Sequence, residues 1–218
     1  MFNVADVIAR TQFITLDTAA VRWTEEELLA WINDAQLEIV SLKPTAHTVF
    51  TEIPLVEGVY QELPENGVAL LSIVFNVEGN ACTLVTREDL EASLPQWATM
   101  PAETEAAHYL VDEDDPRHFF VCPPNDGDGA VFGRYSVLPP VIESVNGQCV
   151  LSLMYMPIMT RYVLFRLYSK HSSSPENQRL AQQELQGFFQ SLGVKIQSLF
   201  TYSPMRDHEK AVNGPSSV

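Results

Sequence analysis

The sequence predicts an α+β fold, in which terminal helices form a helical bundle and a β-rich insertion lies between them. Two observations carry this prediction. Apolar residues recur at helical spacing near both ends of the 218-residue chain, whereas the middle alternates short apolar runs with turn formers. The resulting domain prediction assigns 1–44 and 156–201 to the helical bundle, 45–155 to the β-rich insertion and 202–218 to a flexible or partner-ordered tail.

The first predicted helix begins after Asn3, whose side chain suits an N-cap. Its inner face is expected to consist of Val4, Val7, Ile8 and Thr11, which follow one another at helical spacing. This spacing predicts one short amphipathic helix at the start of the chain.

A second helix begins at a capping box, in which Thr24 accepts a hydrogen bond from a first-turn amide and Glu27 reaches back to the helix start. An apolar stripe follows, made of Leu28, Leu29, Ile32, Ala35, Ile39 and Leu42. Trp31 lies beside this stripe, so it either widens the core face or is presented to a partner. Pro44 ends the helix.

Strands are predicted in the middle of the chain at 49–54, 60–63, 68–75, 82–85, 108–111, 119–122 and 130–138. The turn at Glu78-Gly79-Asn80 suggests a hairpin that joins 68–75 to 82–85. Thr86 suits the N-cap of a short helix with Leu90 and Leu94 on its inner side.

Helices return in the last third, the first over 156–169. Ser174 caps the next, and Pro175 occupies its first position, where proline is favoured. The stripe of that helix comprises Ala181, Leu185, Phe188, Leu192 and Leu199. After Tyr202 the chain holds no core residues, which predicts a tail.

The charge balance is strongly acidic, with 28 acidic and 13 basic side chains and a net charge of −15. Such a surface repels phosphate backbones and nearly excludes general nucleic-acid binding. The cysteines number three and form no CxxC pair, which is typical of a reducing compartment. With no signal peptide and no membrane-length apolar run in the sequence, we expect synthesis in the cytoplasm and no membrane partner.

The sequence contains no recognisable catalytic motif: it has no GxSxG nucleophile elbow, no phosphate-binding glycine loop and no closely spaced histidine pair. We therefore predict no enzyme, no cofactor, no catalytic residue and no metal ligand. The acidic stretches 112–115 and 126–128 are interpreted as solvated turns. The alternative hypothesis is a soluble metal-dependent enzyme with its site at these acidic loops.

Bulky aromatic side chains stand beside rigid proline bends, notably Trp97 after Pro95 and Tyr135 before Pro139. They either close loops over the sheet core or act as interface anchors, for which Trp and Tyr are the preferred residues. The sequence leaves both interpretations open.

A series of motifs in fixed order carries a resemblance to a known family. The series is Trp23 with Glu27-Leu28-Leu29-Ala30-Trp31-Ile32-Asn33-Asp34-Ala35-Gln36 and Lys43-Pro44, Gly58 with Gln61-Glu62-Leu63-Pro64, Leu71-Ser72-Ile73-Val74-Phe75-Asn76, Leu94-Pro95-Gln96-Trp97, Asp115-Pro116, Phe119-Phe120-Val121-Cys122-Pro123-Pro124, and Tyr135 with Pro139. In this order the motifs resemble the head-to-tail adaptor (connector) proteins of tailed bacteriophages, of the tail tubular protein A type found in short-tailed phages. The resemblance covers about Trp23 to Phe200.

The resemblance implies a structural virion protein of the neck or tail and no enzyme. Such adaptors form a twelve-fold ring that joins the portal protein to the tail nozzle or tail tube, and genomic DNA passes through the ring without specific binding. Their C-terminal segment commonly docks on the portal. On this basis the interface with the portal or a neighbouring copy is assigned to Tyr202, Pro204, Met205, Arg206, Trp97 and Tyr135. A neck or tail-completion protein of a long-tailed phage is the alternative within the virion.

Overall fold

The computed structural model describes residues 1–112, 114–171 and 174–193, and it confirms an α+β fold. The chain divides into two compact units. Among the described residues, the helical unit takes in 1–47 and 138–193, and the β-rich unit is Thr48–Val137. The predicted domain limits stay a prediction, because compactness within one chain does not show which segments fold alone.

Helix α1 (Val4–Thr15) begins as its sequence predicts. The Oδ1 atom of Asn3 accepts a hydrogen bond from the Ala5 amide at 2.9 Å. Each predicted inner-face residue is buried, and the Thr11 hydroxyl donates a hydrogen bond to the Val7 carbonyl. The helix ends in a left-handed turn at Leu16.

Helix α2 (Glu25–Leu42) also begins at its predicted cap, where Thr24 Oγ1 accepts from the Glu27 amide at 3.3 Å. The Glu27 carboxylate, expected to turn back on the helix start, pairs instead with the Lys170 ammonium. Trp31 is buried, so of the two interpretations it is the core one that the structure supports.

Helix α4 (Met156–Lys170) contacts α1, α2 and α5 (Pro175–Leu192). Its inner side chains, Met159, Val163 and Leu167, are almost fully buried. A terminal-helix bundle is nevertheless not supported as an arrangement, because strands lie between the helices. Strand β1 (Phe2–Asn3) pairs with β9 (Gln148–Cys149) inside the helical unit, and the sequence analysis missed both.

Two amide side chains of α2 hold the extended chain that enters the helical unit after Val137. Asn33 accepts from the Ile142 amide at 2.9 Å and donates to the Ile142 carbonyl at 3.0 Å, as a neighbouring strand would. Gln36 Nε2 donates to the Pro140 carbonyl at 2.8 Å and to Asn33 Oδ1 at 3.0 Å. Gln36 is fully buried, so its hydrogen bonds lack competition from water.

The β-rich unit contains two sheets that share one core. In the first sheet β8 (Ala130–Val137) lies between β2 (Thr48–Pro54) and β4 (Gly67–Asn76), and all pairs are antiparallel. The second sheet has the order β3 (Gly58–Glu62), β7 (His118–Asn125), β6 (His108–Val111) and β5 (Thr83–Leu84). Core side chains come from both sheets, including Ile53, Ile73, Phe119, Val121 and Tyr135.

The predicted hairpin between 68–75 and 82–85 is wrong beyond its first bridge. Phe75 does pair with Ala81, but β5 then runs parallel to β6. Asn76 explains the change of partner, because its side chain binds the Ala106 amide and carbonyl and so draws that segment in beside the turn. Leu94, expected on the inner side of α3 (Arg87–Ser93), is exposed, whereas Leu90 is buried.

The Asn33 bridge gives a first prediction. Asn33→Ala leaves the Ile142 amide and carbonyl without their partners, which costs about 1–3 kcal/mol of the free energy of unfolding. For a chain of this size we expect Tm to fall by roughly 3–10 °C in differential scanning calorimetry. Asn146→Ala, at an exposed position of the same unit, is the control and should leave Tm within about 1 °C. An unchanged Tm in Asn33→Ala would contradict the clamp.

Candidate interaction surfaces

The predicted interface residues divide into two groups. Trp97 packs with Leu90, Leu110 and Cys122 and is 7% exposed, and Tyr135 lies in the shared core of the β-rich unit at 4%. Both rings therefore pack within their own subunit. Tyr202, Pro204, Met205 and Arg206 lie outside the described residues. The interface assignment stays a prediction for all six.

The first acidic stretch organises a turn. Asp112 Oδ1 accepts from the Asp114 amide, and Asp115 Oδ2 lies 2.9 Å from His118 Nδ1. Glu113 lies outside the described residues. These carboxylates are thus engaged with their own loop and its neighbouring strand, as the turn interpretation expects.

The second acidic stretch is organised in the same way. Asp126 accepts from the Thr104 hydroxyl at 2.6 Å and from the Asp128 amide, and these bonds hold the pKa of Asp126 below its ordinary value. Asn125 Oδ1 accepts from the amides of Gly127 and Gly129. In the described part of the chain, no three His, Cys, Asp or Glu side chains are arranged to hold a metal ion.

The three cysteines are buried. Burial raises the pKa of the Cys82 thiol to about 12, and it also raises the pKa values of Cys122 and Cys149. At neutral pH such thiols stay protonated, and a thiol is a far weaker nucleophile than a thiolate. They fill space in the core as small apolar side chains.

The most exposed large apolar side chains of the helical unit include those at the end of α1. Phe13 is 75% exposed, Leu16 is 89% exposed, and Ile14 is about half exposed. We call Phe13, Ile14 and Leu16 the α1 patch. Isolated exposed apolar residues are common on protein surfaces, but Phe13 and Ile14 line one groove and Leu16 follows closely in the chain, and such grouping of apolar residues is of the kind that marks interaction sites.

A groove of about 460 Å³ adjoins the α1 patch and lies between α1, α4 and α5. Pro157 and Leu164 of α4 supply apolar lining, and Arg10 and Arg161 supply positive charge. Arg161 pairs with Glu184 of α5 at 3.0 Å. Gly187 leaves the room for this pair, because a Cβ atom there would lie 2.5 Å from the Arg161 guanidinium.

The loop after the α1 patch is fixed by one carboxylate. Asp17 accepts hydrogen bonds from the amides of Val21, Arg22 and Trp23 at 3.0–3.2 Å. Burial alone would raise the pKa of Asp17, but the backbone donors from Arg22, Val21 and Trp23 outweigh it and hold that pKa below its ordinary value. The Arg22 guanidinium lies 4.6 Å above the Trp23 ring and closes the loop.

A second apolar surface lies on the face of the first sheet that points away from the shared core. Phe75 and Phe132 face each other across β4 and β8 with ring centroids 5.2 Å apart, and Phe50 of β2 lies 6.1 Å from Phe132. Strand alternation places Phe50 and Phe132 on the face opposite Ile53 and Val131, which point into the core, and Phe75 joins them after a register irregularity between Ile73 and Phe75.

Comparison with known protein families gives the decisive observation. The family described as SU10 adaptor protein matches residues 2–207, nearly the whole chain. The chain belongs to this family. A search of the curated proteins found no match.

Membership makes this chain a bacteriophage structural adaptor and implies a location in the virion neck. The resemblance found in the sequence is thereby confirmed at the level of a phage head-to-tail adaptor. The family also implies association with other capsid or tail proteins of the phage. Within residues 1–112, 114–171 and 174–193, no helix has both the length and the apolar character to cross a membrane.

The negative charge of this adaptor is concentrated in one unit. Thr48–Val137 carries 16 acidic side chains against three arginines, a net charge of −13. Residues 1–47 and 138–193 together carry ten acidic and seven basic side chains, a net charge of −3. The helices that border the groove are positive, because α1, α4 and α5 contain five basic and three acidic residues.

The α1 patch was not predicted from the sequence, although a signal for it was present. Phe13 follows Val4 by nine residues, which at 100° per residue places it about 180° around the helix from the inner face. A large apolar residue opposite a well-defined inner stripe indicates an outward-facing contact.

The Asp17 loop gives a second prediction. Because the folded pKa of Asp17 lies below its unfolded value, its stabilisation is present above an unfolded pKa of about 3.9 and is lost as pH falls through the folded pKa. Asp17→Asn should therefore lower Tm at pH 5–7, and its difference from the unsubstituted protein should shrink at lower pH.

The measurement is thermal unfolding followed by circular dichroism between pH 2 and pH 7. Asp6→Asn, in the first turn of α1, is the matched control. A Tm difference that stays constant down to the lowest pH would mean that the charge of Asp17 does not hold the loop.

Proposed function

We propose that this adaptor assembles as a ring, twelve-fold as the resemblance implies, between the portal and the tail nozzle or tail tube, and that it forms part of the DNA ejection conduit. The observation that carries the proposal is the family match over residues 2–207. This match spans both units and extends beyond Gly193 into the C-terminal segment.

The charge of the chain supports a role as a conduit. Twelve copies would carry roughly −180 formal charges, most of them on the β-rich units. A wall of this sign repels the phosphate backbone, so DNA can move past it without being held. The ring would then guide the genome by exclusion, with no site for base or phosphate recognition.

A closed ring needs two different, complementary surfaces on each copy, because each subunit meets its neighbours head to tail. The apolar surfaces of the two units are candidates for such contacts: the exposed α1 patch, and the sheet face made by exposed Phe50 with the half-buried Phe75 and Phe132. The assigned interface residues Trp97 and Tyr135 are buried, so their proposed contribution is to shape the surface above them.

The C-terminal segment is proposed to dock on the portal through Tyr202, Pro204, Met205 and Arg206. Its sequence combines bulky apolar side chains with a proline and has no long apolar stripe, which suits a segment that becomes ordered on a partner. Ordering on binding reduces affinity per unit of area but lets the segment cover an extended surface.

The direct test is mass photometry of the full chain, alone and mixed with the portal protein of the same phage. The proposal expects a species whose mass equals one portal ring plus a full complement of adaptor copies. No association at micromolar concentrations of both proteins would overturn the proposal.

The docking segment gives a third prediction. Deletion of 202–218 should leave Tm within about 2 °C, because it removes no residue of the described core, yet abolish association with the portal. Deletion of 208–218 is the matched control, since it removes only residues beyond the family match and should retain association. Retained binding by the longer deletion would contradict portal docking by the tail.

DNA exclusion gives a fourth prediction. In a gel-shift assay at 20 mM salt, where electrostatic attraction or repulsion is least screened, we expect no retardation of duplex DNA by the full chain at micromolar concentrations. A basic protein of similar size serves as the positive control. Retardation of the duplex would show a DNA-binding surface and contradict the charge argument.

A further inference from the structure

We propose that the α1 patch and its groove bind the acidic β-rich unit of the next copy in the ring. The inference rests on the proposed function, because it names the contact that would join neighbouring subunits. The partner is therefore a second copy of this chain, and its contacting region lies within Thr48–Val137.

The conformation of Leu16 is the first argument. Its φ of +56° lies in the left-handed region, which disfavours residues with a Cβ, and its side chain is almost fully exposed. Helix α5 ends in the same conformation at Gly193, the residue that best tolerates it. A strained backbone that carries an exposed leucine is unfavourable in the isolated subunit. Such a residue becomes favourable when the side chain is buried by a partner.

Charge complementarity is the second argument. Two arginines and one carboxylate line the groove, and Arg161 is paired with that carboxylate, Glu184, so Arg10 supplies the net positive charge in a part of the chain whose helices are net positive. The β-rich unit carries −13, so it is the acidic surface that every copy brings to the assembly. Complementary potentials of this kind guide two surfaces into one orientation and disfavour others.

The β-rich unit also offers apolar anchors beside carboxylates. Val56 and Val77 are exposed, and each directly precedes a glutamate, Glu57 or Glu78. A surface with this combination suits the groove in both respects, because its apolar side chains can pack on Phe13 and its carboxylates can pair with Arg10. Such central apolar anchors with a charged rim are typical of specific interfaces.

The same charges argue against contact between two α1 patches. A two-fold pairing would bring the groove of one copy, with the net positive charge of Arg10, against the same groove of the other, and like charges across an interface are unfavourable. Such a pairing would also close a dimer and leave no surface for ring growth. A head-to-tail contact avoids both problems.

Photocrosslinking on the full chain tests the contact directly. Phe13 is replaced by the photoreactive amino acid p-benzoylphenylalanine, and isotopically light and heavy copies are mixed, assembled with the portal and irradiated. We expect light-to-heavy crosslinks from position 13 to peptides of Thr48–Val137. The same replacement at Leu37, exposed on α2, is the control and should not give these crosslinks. Light-to-heavy crosslinks from position 13 to the helical unit, or crosslinks to the portal with none to Thr48–Val137 of another copy, would overturn the inference.

Substitutions separate assembly from folding. Leu16→Gly relieves the left-handed strain and should raise Tm by about 1–4 °C, yet it should weaken ring formation because it removes the exposed side chain. Arg10→Glu should raise the concentration needed for half-maximal ring formation on the order of tenfold. Arg179→Glu makes the same charge change at an exposed site of α5 outside the groove lining and should leave that concentration within about twofold.

The outcomes distinguish this inference from the proposed function. If the unsubstituted chain assembles on the portal and the Leu16→Gly and Arg10→Glu variants assemble equally well, the ring stands and the α1 contact is overturned. If the unsubstituted chain does not assemble on the portal, the proposed function fails and the contact fails with it.

Discussion

The packing of α4 is the interaction on which the helical unit depends. Its buried side chains, Met159, Val163 and Leu167, meet three other helices, and burial of each is worth about 1.5–3 kcal/mol. Cations along the same helix then reach outward to neighbours: Arg161 to Glu184, Arg166 to Asp34 and Lys170 to Glu27. These pairs are partly exposed, so each contributes little stability, at most about 1 kcal/mol. Their effect is to fix the orientation of α4 relative to α2 and α5, and the Arg161–Glu184 pair does so at the wall of the groove.

Amide side chains that are buried or partly buried set the path of the chain between regular elements. Asn33 and Gln36 hold the segment at Pro140–Ile142, and Asn76 holds the segment at Ala106. An amide can donate and accept at once, so one side chain satisfies both backbone groups of a segment that has no strand beside it. Removing such a group leaves buried donors and acceptors unpaired, and each unpaired group then costs its full desolvation free energy. The routes of these loops are therefore fixed by a few long-range contacts.

These contacts explain how far the sequence could predict the molecule. Local signals were sufficient for the caps at Asn3 and Thr24 and for the inner stripe of α1, because both depend on residues within one or two turns. They were insufficient for β5, whose parallel partner is selected by Asn76 acting over 30 residues. The sequence could not decide whether Trp97 and Tyr135 lie in the core or on the surface, since burial of an aromatic ring depends on which sheets and helices pack against it. The helical periodicity of α1 indicates the α1 patch. The groove beside the patch could not be predicted, because it forms only where α1, α4 and α5 pack together.

The uneven charge of the two units limits how copies of this chain can associate. Two β-rich units, each of −13, repel one another over a Debye length of about 8 Å at physiological salt, and the repulsion grows as copies accumulate in a ring. Apolar surfaces attract only where they touch. The two copies must therefore already be in contact before burial of apolar surface can offset that repulsion. In the proposed contact, attraction between the positive groove of one copy and the acidic unit of the next reduces the electrostatic repulsion between the two copies as they come together. If the proposed ring forms, a template that holds copies at the right spacing lowers the cost of this repulsion further, and the proposal then expects assembly on a pre-formed portal rather than in free solution.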